Sequence, residues 1–279
     1  GRLDTYYFRC NNKSYGTRAA EKLASKTILI TGASSGIGSA IANELADTAK
    51  GKVRLILVAR RLLRLAEIKK NLESKYPGIE ILPWELDISD FKRIPTRIKE
   101  LPKDWSKIDV LINNAGMAQG ADLVGSLEIE AIESVYSTNV IGLVVLTNLI
   151  VAQMKERNKG DIVMIGSISA YEAVPTSSLY GSSKACLLSF TEALRKENIS
   201  NRLRIIEVDP GLTETEFALV KFEGDSEKAK KVYSGYEPLT TYDIADVVVF
   251  NLTRAENTVV ASTSVVPNNQ ASCTFTYRQ

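Results

Sequence analysis

The chain has 279 residues, 35 Lys and Arg against 33 Asp and Glu, and no histidine. The lack of an imidazole excludes a Ser-His-Asp or Cys-His hydrolase, a histidine-ligated metal site and a histidine general base. A net charge of +2 provides no field for holding a polyanion, so we expect no nucleic-acid partner.

The three cysteines, Cys10, Cys186 and Cys273, are too few and too far apart for a zinc site or a disulfide framework. We therefore expect no metal, and free thiols in the reducing cytoplasm. No apolar run reaches the roughly 18 residues that a membrane span needs. The longest candidate, residues 140–154, is interrupted by polar side chains, so we expect a buried helix there and no membrane partner.

After a predicted surface extension at residues 1–24, apolar runs of strand length alternate with longer segments of helical period. Strands are predicted at residues 27–31, 53–59, 79–84, 110–112, 162–165, 203–208 and 259–266. Helices are predicted at residues 37–49, 62–75, 91–101, 127–157, 178–199 and 242–254. This alternation predicts an α/β fold, a doubly wound Rossmann-type parallel sheet with helices on both faces. We expect one domain over residues 25–272 and a C-terminal tail at 273–279.

The first predicted strand runs directly into the sequence TGASSGIG at residues 31–38, and a helix follows. Glycines at such a turn let the backbone approach a pyrophosphate, whose charge the helix N-terminus favours. Any tight strand-to-helix connection can also use glycine. We expect this turn to bind a nucleotide through Gly32, Ser34, Ser35, Gly36, Ile37 and Gly38.

The second predicted strand ends at Arg60 and Arg61, where NAD-selective sites usually present a carboxylate to the ribose hydroxyl. Two guanidinium groups suit a 2′-phosphate instead, so we predict that the cofactor is NADP. The alternative is that both arginines simply begin the basic outer face of the next helix. Further cofactor contacts are expected after the third and fourth strands, at Asp87, Ile88, Asn114, Ala115 and Gly116.

Tyr180 and Lys184 are four residues apart in a predicted helix and therefore share one of its faces. Because an ammonium group favours the phenolate, we expect Lys184 to lower the pKa of Tyr180 toward neutral pH. Ser167, just after the fifth strand, is placed to meet a substrate oxygen, and Asn139 to organise a water chain behind the pair. A surface cation–aromatic pair is the alternative for Tyr180 and Lys184 alone.

Together the glycine turn, the sequence NNAG at residues 113–116, Asn139, Ser167, the YxxxK pair and Pro210-Gly211 resemble the short-chain dehydrogenase/reductases. The resemblance covers about residues 25–270 and is nearest to the NADP-dependent 3-hydroxy acid dehydrogenases, the serine or allo-threonine dehydrogenase group. It implies an oxidoreductase acting on CH–OH groups, and a homotetramer that uses the predicted helices 127–157 and 178–199 as a dimer face.

The resemblance also implies a role for each matching residue. Tyr180 would be the general acid/base, Ser167 would hydrogen-bond the same substrate oxygen, and Lys184 would contact the nicotinamide ribose. Asn139 would support the proton relay to solvent. The residues that would line the nicotinamide follow the sixth strand and are Pro210, Gly211, Thr213 and Thr215.

The long, charged segment 213–238 has no clear strand and is predicted to be a lid over the site. Relatives often carry a basic residue soon after the serine, where this chain has Tyr171 and Glu172. A substrate carboxylate needs a cation or several donors, and Lys221 in the lid is a candidate. The leading hypothesis is a small 3-hydroxy acid substrate, of serine, allo-threonine or 3-hydroxyisobutyrate type. The alternatives are a carbonyl reductase of neutral ketones, keto esters or sugars, a non-catalytic NADPH sensor and an inert structural relative.

Overall fold

The computed structural model describes residues 18–222 and 224–278. Most of the predicted N-terminal extension, with Cys10, lies outside the described residues, as does Glu223 in the lid. The described chain forms a seven-stranded sheet in the order β3-β2-β1-β4-β5-β6-β7, and every neighbouring pair is parallel. The strands are β1 Thr27–Thr31, β2 Arg54–Ala59, β3 Glu80–Glu85, β4 Val110–Asn113, β5 Gly160–Ile165, β6 Leu203–Pro210 and β7 Ser262–Val265.

Helices connect the strands and cover both faces of the sheet. They are α1 Ala19–Leu23, α2 Gly36–Thr48, α3 Leu62–Lys75, α4 Ile94–Lys99, α5 Ile129–Tyr136, α6 Leu143–Glu156, α7 Ser178–Glu197, α8 Phe217–Lys221, α9 Ser226–Tyr233 and α10 Thr241–Leu252. A π-helical segment, Ser137–Gly142, joins α5 to α6, and short 3-10 turns occur at Lys103–Trp105 and Ile168–Ala170.

Two apolar cores follow from the unbroken Ile, Leu and Val runs in the strands, which point side chains to both faces of the sheet. On one face, side chains such as Ile41, Leu65 and Val248 bring α2, α3 and α10 against the strands. On the other face, side chains such as Ile150 and Leu187 do the same for α6 and α7. The predicted doubly wound fold is therefore confirmed.

The order of the strands reverses between β1 and β4, so the connections leave these two strands in opposite directions. In open parallel sheets a ligand crevice forms at this switch point, outside the carboxyl ends of the strands. The glycine turn after β1, the loop after β4 and Ser167 after β5 all lie at that edge. The fold thus gathers the predicted motifs, which are far apart in sequence, at one place.

The lid segment contains two helices, α8 and α9, which were not among the predicted helices. The side chain of Asp225 accepts hydrogen bonds from the backbone N–H groups of Glu227 and Lys228 and so caps the start of α9. Helix α8 has only five residues, too few to show a helical period. Helix α9 does show that period, with apolar side chains at Ala229, Val232 and Tyr233 in a mostly charged stretch.

The stretch Ile129–Glu156 is the one helix in the described part of the chain with the length and mean hydropathy, 1.8, of a membrane span. The core helix of a globular protein passes the same test. In this fold α6 buries Leu146, Ile150 and Met154 in the core against the sheet. The prediction of a buried helix in this region therefore agrees with the packing, although the apolar stretch is longer than the sequence run suggested.

Candidate active site

A cavity of about 760 Å³ opens at the carboxyl edge of the sheet, between the glycine turn, the loops after β4 and β5, and the lid helices. It brings together Ser167, Tyr180 and Lys184 of the predicted catalytic residues. Asn139 lies behind its wall. All predicted cofactor residues except Gly38 line it: Gly32, Ser34, Ser35, Gly36, Ile37, Arg60, Arg61, Asp87, Ile88, Asn114, Ala115, Gly116, Tyr180, Lys184, Pro210, Gly211, Thr213 and Thr215.

Gly38 does not line the cavity, but the turn depends on it. A Cβ atom there would lie 2.4 Å from the carbonyl oxygen of Gly32 and 2.6 Å from Nδ2 of Asn114. The first turn of α2 therefore packs directly on the loop after β1. Gly32 itself has φ +65°, a left-handed conformation that favours glycine. These constraints leave an open backbone cradle at a helix N-terminus, which fits a pyrophosphate.

The side chain of Arg61 contacts the serines of the glycine turn. Its guanidinium donates to Oγ of Ser34 at 3.0 Å and to Oγ of Ser35 at 2.7 Å. It also pairs with Glu216, just before the lid helix α8, at 3.3 Å. The side chain of Arg60 is 73% exposed and lies 3.9 Å from Asp87. Both arginines thus border the cavity beyond β2, which fits a phosphate on the adenosine ribose.

Ser167 and Lys184 converge on the end of β5. The Nζ atom of Lys184 is buried and donates to the carbonyl oxygen of Ile165 at 2.8 Å. Oγ of Ser167 accepts from the backbone N–H of Ser169 at 3.1 Å. The ammonium of Lys184 lies 5.7 Å from the centroid of the Tyr180 ring, and Phe217 of α8 packs against that ring edge-to-face at 5.2 Å. The lid helix therefore contacts the phenol ring directly.

The expectation that Lys184 lowers the pKa of Tyr180 toward neutral pH is wrong in this structure. Burial raises the pKa of Tyr180 to about 12, and a hydrogen bond with Ser167 lowers it only in part. The ammonium of Lys184 lies over the ring, and burial lowers its own pKa to about 8. Desolvation of the phenol is therefore the main cause of its raised pKa.

Asn139 occupies the π-helical segment and is fully buried. Its Oδ1 accepts from the backbone N–H of Met117 at 2.8 Å, and its Nδ2 donates to the carbonyl oxygen of Met117 at 2.8 Å. The same Nδ2 donates to Oγ of Ser183 at 3.0 Å, next to Lys184 in α7. The amide thus ties the loop after β4 to the helix that carries Tyr180. A local π turn at such a position is typical of functional sites.

Comparison with known proteins gives this arrangement a family. Residues 26–225 match the family model described as short chain dehydrogenase. The chain belongs to the short-chain dehydrogenase family. The family predicted from the motifs is therefore confirmed.

Three similar proteins place the chain within the short-chain dehydrogenases. An NADP-dependent 3-hydroxy acid dehydrogenase of Schizosaccharomyces pombe is 51% identical over 258 residues, 92% of this chain and 98% of that protein. A serine 3-dehydrogenase of Rhizobium radiobacter is 31% identical over 256 residues, 91% of this chain and 99% of that protein. A solved closed form of serine dehydrogenase with NADP+ has a TM-score of 0.83 and 30% identity, covering 91% and 99% of the two chains.

Two buried carboxyl groups of this short-chain dehydrogenase escaped the sequence analysis. Glu207 and Asp209 alternate along β6 and are 1% and 0% exposed. Oδ1 of Asp209 accepts from the backbone N–H of Ser167 at 3.1 Å, and its Oδ2 accepts from the hydroxyl of Tyr171 at 2.7 Å. Oε1 of Glu207 has no hydrogen-bond partner among the described residues. The sequence signal that could have revealed this site is the presence of two acidic residues inside an otherwise apolar strand.

Tyr171 and Glu172, which stand where the resemblance implied a basic residue, also have structural partners. Tyr171 serves the buried Asp209, as above, and Glu172 accepts from the backbone N–H of Thr274 at 3.3 Å. The C-terminal residues fold back on the cavity, where Oε1 of Gln270 accepts from the backbone N–H of Leu212 at 2.7 Å. The contact of Gln270 with Leu212 joins two segments that are far apart in sequence, so the spacing of residues did not predict it.

Proposed function

We propose that this chain is an NADP-dependent dehydrogenase of a small 3-hydroxy acid, of serine, allo-threonine or 3-hydroxyisobutyrate type, with Tyr180 as its general acid/base. The observation that carries the proposal is the convergence of Ser167, Tyr180 and Lys184 on one cavity beside the glycine turn. The names of the two relatives and of the solved structure above support the cofactor and the substrate class.

The described residues fit NADP. When bound, NADP supplies the hydride to the carbonyl carbon, or accepts it from the alcohol carbon. The glycine turn and Ser34 would hold the pyrophosphate, Arg60 and Arg61 the 2′-phosphate, and Lys184 the nicotinamide ribose. The remaining contacts would come from Asp87 and Ile88 at the adenine, from Asn114, Ala115 and Gly116 beside the ribose, and from Pro210, Gly211, Thr213 and Thr215 at the nicotinamide.

Tyr180 moves the proton of the substrate oxygen. With a pKa of about 12 its hydroxyl keeps its proton at neutral pH and donates it to the oxygen during carbonyl reduction. Ser167 hydrogen-bonds the same oxygen and orients it toward Tyr180. In the direction of alcohol oxidation, the charge of Lys184 favours the phenolate form of Tyr180, which accepts the proton of the alcohol. Asn139 holds the loop after β4 and α7 in register, which keeps this proton path aligned.

The variant Tyr180→Phe tests the mechanism. It removes one hydroxyl, and we expect NADPH binding within about twofold of the unaltered protein, with turnover reduced by roughly 10²–10⁴-fold. NADPH binding is measured by fluorescence and turnover by absorbance of the nicotinamide. Tyr242→Phe, which loses an exposed hydroxyl, is the matched control. Near-normal turnover of Tyr180→Phe would end the proposed role.

A substrate panel decides among the alternative functions. L-serine, 3-hydroxyisobutyrate, neutral secondary alcohols and keto esters are offered with the matching form of NADP. Turnover of the acids supports the proposal, and turnover of neutral carbonyls alone favours the carbonyl reductase. NADPH binding with no turnover of any compound would favour a sensor.

We also propose that residues 25–272 act as one domain of a cytoplasmic homotetramer. Cys186 and Cys273, the cysteines within the described ranges, are free thiols, which suits a reducing compartment. The resemblance to the family supports a dimer face on the helices Ile129–Glu156 and α7.

A further inference from the structure

The first and last residues of the lid helix α8 both line the cavity. Phe217 and Lys221 are four positions apart and therefore lie on one side of the helix. Phe217 packs on the ring of Tyr180 at 5.2 Å, and Lys221 lines the same cavity. The backbone carbonyl of Lys221 also accepts from the N–H of Gly120 at 3.2 Å, which attaches the end of α8 to the loop after β4.

The side chain of Lys221 reaches the helix that carries the catalytic tyrosine. Its Nζ donates to Oγ of Ser177 at 3.2 Å, and both residues line the cavity. Ser177 precedes the first residue of α7, and its hydroxyl makes no helix-capping hydrogen bond. Ser177 lies three residues before Tyr180, at the start of the same helix, and both line the cavity.

Lys221 is half-buried, and burial lowers its pKa. Within residues 18–222 and 224–278 it has no carboxylate partner. Other cations at the cavity are engaged, since Arg61 pairs with Glu216 and Lys184 donates to a backbone carbonyl. A partly desolvated ammonium with two spare donor hydrogens is stabilised by an anion.

We propose that Lys221 and Ser177 bind the carboxylate of the substrate and make the site selective for 3-hydroxy acids over neutral alcohols. This inference rests on the proposed function. The hydroxyl oxygen of a 3-hydroxy acid is three bonds from its carboxyl carbon, so Tyr180 and Ser177, one helical turn apart, match the two ends of the molecule. This chain has no basic residue soon after Ser167, and Lys221 of the lid supplies the cation in its place.

The variant Lys221→Met tests the subsite by removing the charge with little change in length. The substrates are 3-hydroxyisobutyrate and its methyl ester, which differ in the charge that the subsite reads. We expect kcat/KM for the acid to fall about ten- to hundredfold, mostly through KM, and kcat/KM for the ester to stay within about twofold. Lys231→Met removes an exposed lid charge outside the cavity and should change neither.

A binding measurement accompanies the kinetics. The hydroxy acid is titrated by calorimetry into the protein with bound NADPH, where no reaction follows because the coenzyme is already reduced. The Kd of the acid should rise in Lys221→Met by the same factor as its kcat/KM falls. Lys221→Arg keeps the charge and should recover most of the preference for the acid. If Lys221→Met retains that preference, or loses acid and ester turnover equally in a folded protein, the subsite is refuted. If the unaltered protein turns over neutral compounds and no acid, the proposed function fails first, and the subsite with it.

Discussion

Glu207 and Asp209 hold two carboxyl groups inside the sheet near the ammonium of Lys184. Burial, and the nearby Asp209, raise the pKa of Glu207 to about 7, while burial also raises the pKa of Asp209. Three donors around Asp209 favour its ionised form, whereas Oε1 of Glu207 accepts no hydrogen bond from the described residues. Glu207 is therefore the partner that holds a proton near neutral pH.

This raised pKa predicts a pH-dependent stability. The folded protein binds the proton of Glu207 more tightly than the unfolded chain, whose value is near 4.5. The contribution is therefore fully present below about pH 4.5 and is lost as the pH rises through 7. Its size is about 2–3 kcal/mol in the free energy of unfolding.

In Glu207→Gln we expect this dependence to disappear. Urea unfolding at several pH values between 4.5 and 8 measures the difference in free energy between the variant and the unaltered protein. That difference should change by about 2–3 kcal/mol in favour of the variant as the pH rises. Glu67→Gln, at an exposed position on α3, is the control. Parallel pH curves for Glu207→Gln and the unaltered protein would contradict the assignment.

At the scale of elements, ion pairs of Glu216 join the lid to the chain that follows β2, and through Arg61 to the glycine turn. Glu216 pairs with Arg61 at 3.3 Å and with Arg64 at 2.9 Å, both at the start of α3. Arg61 also donates to Ser34 and Ser35 in the phosphate turn. Arg61, which we assign to the 2′-phosphate, thus also forms an ion pair with Glu216 at the start of the lid helix α8.

The double variant Arg60→Ala with Arg61→Ala tests the selectivity for NADP. Removing two cations should weaken NADPH binding about ten- to hundredfold and NADH binding less than about threefold, because only NADPH carries the 2′-phosphate. Fluorescence titration gives both Kd values. Lys69→Ala with Lys70→Ala removes two cations from α3 outside the cavity and should alter neither. Equal losses for the two coenzymes would favour the alternative that the arginines form only a basic helix face.

At the scale of the whole molecule, the mass in solution tests the proposed assembly of four chains. Cys186 is exposed midway along α7, which the resemblance places at a dimer face. We expect a mass four times that of one chain by light scattering, and a smaller assembly for Cys186→Glu, because the face would bury a charge. Leu63→Glu, at an exposed position on α3 and away from both helices of the proposed dimer face, is the control. A single-chain mass for the unaltered protein would refute the homotetramer.

Much of the fold was predictable because its signals are local. The unbroken apolar strands and the glycines at residues 32, 36 and 38 depend on neighbours a few positions away, and β1 and α3 match their predicted bounds. Helix α8 was not predictable, since it is a single short turn that packs on Tyr180. The π turn at Asn139 likewise has no spacing signal, because contacts with Met117 and Ser183 hold its side chain.

The order and spacing of residues were enough to predict the nucleotide turn, the Tyr180–Lys184 pair and the family, because each depends on short stretches of chain. The protonation of Tyr180, the buried acids of β6 and the direction of Lys221 were decided by the tertiary structure. These properties depend on the removal of water and on charges brought together from distant segments. Neither can be predicted from the spacing of residues along the chain.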